Sequence, residues 1–199
     1  KINGTAVTAT AAELNTLSGC VASTAELNIL DGVTATAAEL NVLDGAVVDG
    51  TFGNLGVGPS VLSSNTSGSQ VTGFGVNVLS SSTSGDFNTG VGYNVLTSLT
   101  TGGSNTGVGD RVLSLLTTGG SNTGVGSTVL DAVTTGTFNT GVGSVALTSL
   151  TTGTENTSVG YRSLQQATLG DDNTAIGAYA GFSVTTGINN TCIGHRAGT

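Results

Sequence analysis

The sequence predicts a mainly β, elongated repeat fold, a β-solenoid (β-helix) of 17-residue coils, and three observations predict it. An apolar residue recurs every 17 positions: Val57, Phe74, Val91, Val108, Val125, Val142, Val159, Ile176 and Ile193. A glycine follows each of them, from Gly58 to Gly194, so the units run from about Phe52 to Thr199 without an insertion. Composition then excludes an ordinary globular core, with 33 Gly, 8% charged residues, 4% aromatics, no Trp and no Met in 199 residues. Mean hydropathy is positive and a net charge of -8 is small for this length, so the chain is not read as disordered; its order comes from repetition.

The first element, residues 1–50, repeats differently. Leu14, Leu27 and Leu40 are 13 apart, as are Glu13, Glu26 and Glu39, and Gly19, Gly32 and Gly45. A hydroxyl residue stands three before each glutamate (Thr10, Ser23, Thr36), the spacing of a capping box, and Ser-Gly or Asp-Gly closes each unit. Little more than one helical turn fits between, carrying the leucine pairs Leu14 and Leu17, Leu27 and Leu30, Leu40 and Leu43. So short a helix does not persist alone in water, so these leucines are expected to meet their equivalents on other copies of the chain around a symmetry axis. The segment Ala46–Thr51 bridges to the second element, residues 51–199.

In that second element each unit holds a β-like phrase "NTGVG", a variable pair, an apolar pair such as Val95 and Leu96, the phrase "TSLTTG" and a glycine turn. Two short strands and two turns per coil are expected, with a rise of about 4.8 Å between coils. The Val91 column, one of Val95 and Leu96, and the Leu99 column with Leu116, Val133 and Leu150 should fill the coil. Adjacent strand residues point to opposite faces, so the other member of the Val95–Leu96 pair faces outward and needs a covering partner chain. The glycine column from Gly68 to Gly187 is expected at positive φ. Asparagines from Asn54 and Asn88 to Asn190 should stack as an amide ladder, and Cys192 should be a small buried residue.

Chemistry is sparse. With one His and scattered carboxylates no nucleophile–base pairing can be argued, so no enzyme, catalytic residue or cofactor is expected. The glycine phrases lack the Asp of calcium-binding rolls, and two cysteines cannot build a zinc site, so no metal is expected. Four Lys and Arg argue against nucleic acid, and no apolar run reaches the roughly 20 residues of a membrane helix. The sequons at Asn3, Asn65, Asn156 and Asn189 read as by-products of the repeat phrase.

Variation concentrates in the pair after the column glycine, which holds every Tyr, every Arg and the sole His. Tyr93, Arg111, Tyr161, Arg162, Tyr179, His195 and Arg196 therefore form a candidate contact stripe for a glycan or a protein receptor, against the plainer reading of a solvated edge. Another surface reading is ice or crystal binding through the threonine column from Thr66 and Thr83 to Thr185.

The "TATAAELNVLDG" type of phrase resembles repeats of bacteriophage tail fibres. "NTAIGAYAG" and "NNTCIGHRAG" are similar to repeats of phage and large algal-virus fibres and to the heads of trimeric autotransporter adhesins. The resemblance implies a homotrimer forming a shaft or host-attachment module on a virion or, for the adhesins, a bacterial cell surface. It also implies a host-surface glycan or protein receptor, often with a C-terminal chaperone domain. The 17-residue unit is longer than the adhesin-head repeat. Starting at Lys1 and stopping at Thr199 inside a repeat, the chain is expected to be a soluble piece of a longer protein.

Overall fold

Each "TGVG" phrase forms a short strand, because Thr and Val are β-branched and the glycines between them admit a neighbouring backbone. The computed structural model describes residues 47–49 and 52–199. They form one ten-stranded sheet in chain order: β1 (Val47–Asp49), β2 (Asn54–Val57), β3 (Thr72–Val76), β4 (Thr89–Tyr93), β5 (Thr106–Asp110), β6 (Thr123–Ser127), β7 (Thr140–Ser144), β8 (Thr157–Val159), β9 (Thr174–Ile176) and β10 (Thr191–Ile193). From β2 onward the strands are parallel, and each residue lies opposite the one 17 places on: Thr89 faces Thr106, Val91 faces Val108, Gly92 faces Gly109. This is the parallel β-solenoid of 17-residue coils that the period implies. β1, drawn from the bridging segment, instead pairs antiparallel with β2, Val47 opposite Gly56 and Asp49 opposite Asn54, and so occupies the first edge of the sheet. The 13-residue repeats with Leu14, Leu17, Leu27, Leu30, Leu40 and Leu43, and Cys20, lie outside the described residues.

Two strands per coil were the expectation; there is one. The rest of each coil is bent at residues with left-handed backbone, three in the coil of β4: Asn94 (φ 51°), Leu96 (53°) and Ser104 (62°). Each such non-glycine residue costs about 1–3 kcal/mol and persists only where its surroundings over-determine it. Here stacking does so. Asn94 donates its N–H to Val76 O (3.0 Å), Leu96 to Val112 O (3.0 Å) and Ser104 to Asp86 O (2.9 Å), each in an adjacent coil. The same bonds recur coil after coil, so register is held around the whole turn without a second strand.

The left-handed leucine also changes the core. Alternation of faces holds only for extended backbone, and Leu96 is not extended, so Val95 and Leu96 both turn inward and are 0% exposed. The Val91 column, expected inside, is the outward one, with Val91 37% exposed. The inward strand position belongs to Gly90, where a Cβ would come within 2.4 Å of Val78 Cγ1. Further along the rod that column gains side chains, at Ser158, Ala175 and Cys192, and the residue 12 places earlier shrinks in step from Val to Ala146, Ser163 and Ala180. Volume is conserved, which is what a close-packed interior requires. Cys192 is the expected small buried residue and carries a free thiol.

The turn glycines require a second correction. The column from Gly68 to Gly187 is not at positive φ; a Cβ on Gly102 would instead strike Gly119 O of the next coil at 2.2 Å. Positive φ belongs to the second strand glycine, as at Gly92 (132°), where a Cβ would also lie 1.8 Å from Gly109 O. No other residue fits there, and that column is never substituted. The asparagine ladder is buried: Asn122 N and Nδ2 both donate to Asn105 Oδ1 (3.0 and 3.1 Å), and Nδ2 also reaches Gly136 O (2.8 Å).

Candidate functional site

Three exposed surfaces result, and the first is the outer face of the sheet. With Gly90 inward, Thr89 and Val91 point out, and stacking turns them into two parallel columns. One runs Thr72, Thr89, Thr106, Thr123, Thr140, Thr157, Thr174 and Thr191 without substitution; the other is the Val91 column, kept as Val, Ile or Phe. Their spacing is that of the strands, about 4.8 Å. The hydroxyls of the Thr89 column have no partner within the chain among the described residues. The Thr66 column differs. Its hydroxyls are consumed internally, Thr83 Oγ1 donating to Thr100 O (3.1 Å) and Thr117 Oγ1 to Thr134 O (3.0 Å), so it is a structural ladder and no free hydroxyl plane.

A second surface is a groove of about 480 Å³ lined by Asn77, Ser80, Ser81, Asn94, Thr97, Ser98, Arg111 and Ser114. Several of its polar groups already bond one another: Asn77 Nδ2 donates to Asn94 Oδ1 (3.0 Å) and Thr97 Oγ1 to Ser114 O (2.9 Å). Arg111 at its end pairs with Asp131 (3.2 Å), whose other oxygen accepts from Ser114 Oγ. This part of the predicted stripe is engaged internally.

The third surface is the stripe's other half. Arg162, Tyr179 and Arg196 succeed one another in one column at left-handed φ (56°, 59° and 57°), and this brings their side chains together. Arg162 Cζ lies 5.2 Å from the ring centre of Tyr161 and 5.9 Å from that of Tyr179; Arg196 Cζ lies 5.5 Å from the latter. Tyr161 and Tyr179 meet edge to face at 5.4 Å, and Phe182, which sequence reasoning missed, adds a tilted contact to Tyr179 at 5.7 Å. The signal for Phe182 was present: it is the aromatic member of a column otherwise made of Ser, Thr, Asp and Gln. His195 is exposed beside Arg196, and Tyr93 is exposed with no aromatic neighbour among the described residues. The structure thus joins Tyr161, Arg162, Tyr179 and Arg196 and leaves Tyr93, Arg111 and His195 apart.

Among the described residues no group of three His, Cys, Asp or Glu could hold a metal ion, and no helix is long and apolar enough to cross a membrane. Of the described sequons, Asn156 is buried in the ladder. Comparison with known proteins gave no matching protein family, no matching curated protein and no matching solved structure.

Proposed function

We propose that the chain is a structural shaft segment of a trimeric virus or phage fibre, presenting or contributing to host-surface binding at the virion surface. One observation carries the self-association: an exposed Thr and Val face repeats at strand spacing and stays nearly constant while the variable pairs beside it change freely. Strand formation favours β-branched residues at these positions but would accept a wider set of them, so a covered face accounts for the uniformity better than the coil alone. A second copy of the same chain offers a matching face with the same repeat, and covering it removes a long apolar column from water. The fibre assignment rests on the phrase resemblance, and a bacterial trimeric adhesin head, on the cell surface, would use the face in the same way.

The uniform threonine column supports one reading of another class, binding to ice or another crystal surface, since it sets a regular row of hydroxyls on the outer face of the sheet. Two experiments separate them. Converting Val91, Val125 and Ile176 to Lys, at exposed positions two and three coils apart, should leave a free coil folded, but an assembly would have to bury the new charges. The fibre reading expects loss of assembly with retained β-structure by circular dichroism. An unchanged assembly would reject this face as the interface. A monomeric parent showing thermal hysteresis would establish the ice reading instead.

A further inference from the structure

We propose that an apolar patch on the outer face of β2–β4, centred on Phe74, Val76 and Tyr93, is the contact that sets parallel copies of the chain in axial register. The inference rests on the self-association argued above and deepens it, naming what aligns the copies along the face they share.

The patch itself comes first. Leu55, Phe74, Val76, Phe87, Val91 and Tyr93 are each between 36% and 54% exposed. Strand pairing makes neighbours of them: Phe74 lies opposite Val91, and Val76 opposite Tyr93. The apolar part of the face is therefore more than one column wide at this end. From β5 onward it narrows to one, because Asp110, Ser127 and Ser144 follow Tyr93 in its column while Val108, Val125 and Val142 continue the other. Contiguous exposed apolar surface with aromatic members marks a contact site.

Uniformity elsewhere is the second observation. β5, β6 and β7 present the same outward Thr and Val at strand spacing, so a copy displaced by one coil, about 4.8 Å, meets nearly the same surface there. So regular a face specifies register weakly, and a feature that does not repeat has to supply it. The patch is such a feature. In register, the apolar levels of β2, β3 and β4 all meet their equivalents. A slip of one coil leaves two such meetings and sets Tyr93 level with Asp110, an exposed carboxylate; a slip of three leaves none. Register is then chosen by the difference between matched and mismatched arrangements.

The occupant follows from continuity. Phe74 and Val91 belong to the same column as Val108, so whatever covers the Val column runs on over the patch, and a second copy carries an equal patch at equal height. No charged residue stands in β2, β3 or β4, so nothing in the patch calls for a partner of opposite charge.

The test traps register with disulfides in the full chain. On a background of Cys20→Ser and Cys192→Ser, the second matching Ser158 in the same column, Val125→Cys and Val142→Cys chains are made separately, assembled together and oxidised. A disulfide needs its Cβ atoms about 3.5–4.5 Å apart, so copies in register link like positions, and copies one coil out link Val125→Cys to Val142→Cys. With the patch intact, like links should form at least about tenfold faster than unlike ones. Phe74→Val, Val76→Ser and Tyr93→Ser together give these columns the residues that later coils carry. The particle should keep its mass, and the two rates should come within about threefold of each other. Should this variant not assemble, Tyr93→Ser alone is read in its place. Phe138→Ser removes an exposed aromatic outside the patch and should leave the ratio unchanged. Equal rates with the patch intact, an unchanged ratio in the patch variant, an equal loss in Phe138→Ser, or a three-chain particle that forms neither disulfide would each overturn the proposal and leave self-association standing. A monomeric parent chain would overturn both.

Discussion

Replacing Asn122 by Val tests the buried amide ladder where its consequences can be counted. Asn122 is 0% exposed; its Nδ2 donates to Gly136 O (2.8 Å), and its Oδ1 accepts from Asn139 N (3.0 Å) and Nδ2 (3.1 Å). Valine is the informative substitute because Val71 already occupies this column, fully buried, between Asn54 and Asn88. The side chain therefore fits, and what changes is hydrogen bonding. Two buried groups lose their partner: the Asn139 N–H and the Gly136 carbonyl. At about 1–3 kcal/mol each, the loss is roughly 4 kcal/mol, offset by about 2 kcal/mol from burying the valine. A net loss of about 2 kcal/mol in a unit of this size lowers Tm by about 4–8 °C. Asn190→Val is the control: Asn190 Oδ1 accepts nothing among the described residues, and its Nδ2 bonds Asn173 Oδ1, which still receives Asn190 N. Its Tm should fall by less than half as much. Differential scanning calorimetry of both variants decides the matter. A change below about 0.5 kcal/mol for Asn122→Val, or equal losses in the two, would show that the amides fill space without holding the coils together.

Volume compensation in the core makes a paired prediction. Gly107→Ala should destabilise, because its Cβ would lie 2.5 Å from Val95 Cγ1, and adding Val95→Ala should recover part of the loss, a positive coupling of about 1 kcal/mol in a double-mutant cycle. At the variable corner, Ser69 donates its backbone N–H (2.7 Å) and Oγ–H (2.8 Å) to Asp86, holding that carboxyl below its ordinary value of 3.8. A lowered folded pKa gives stability that is present above about pH 4 and vanishes as pH falls through the folded value. The Tm difference between the parent and Asp86→Asn should therefore be present at pH 6 and shrink as pH falls below about 4. Register makes the last of these: removing Asn105–Ser121 joins Ser104 to Asn122 with every column aligned, whereas removing Val108 alone slips one strand. The 17-residue deletion should melt closer to the parent than the single one; the reverse order would contradict stacked register.

The period was legible in the sequence because stacking leaves little freedom: every strand residue must lie on the residue 17 places on, and an insertion within a strand would throw its coil out of line with both neighbours. Legible for the same reason were the asparagine ladder and the small residue Cys192. Which way each column faces was not, and the cause is local. Alternation predicts opposite faces for Val95 and Leu96, but leucine in left-handed backbone is rare enough that nothing in the letters announces it. That one conformation brings Leu96 inside beside Val95, while Val91 faces out because Gly90 holds the inward strand position. Glycine misled in the complementary way. At Gly102 it marks a close approach of coils, while the corners are turned by Asn94, Leu96 and Ser104, whose N–H groups bond the coils on either side. In the candidate stripe, residue type named the members without saying which of them the coil brings together, since Arg111 and Arg162 look alike in sequence. Asp131 distinguishes them, 20 residues from Arg111 and brought beside it by the coil.

The central claim is that the outward Thr and Val face is covered by further copies of the same chain. The most direct measurement is the mass of the native particle by sedimentation equilibrium across a wide concentration range. The account predicts a species of about three times the 19.3 kDa chain mass that stays intact on dilution. A folded, monodisperse particle of 19.3 kDa, with Val91, Val108 and Val125 left in water, would contradict it.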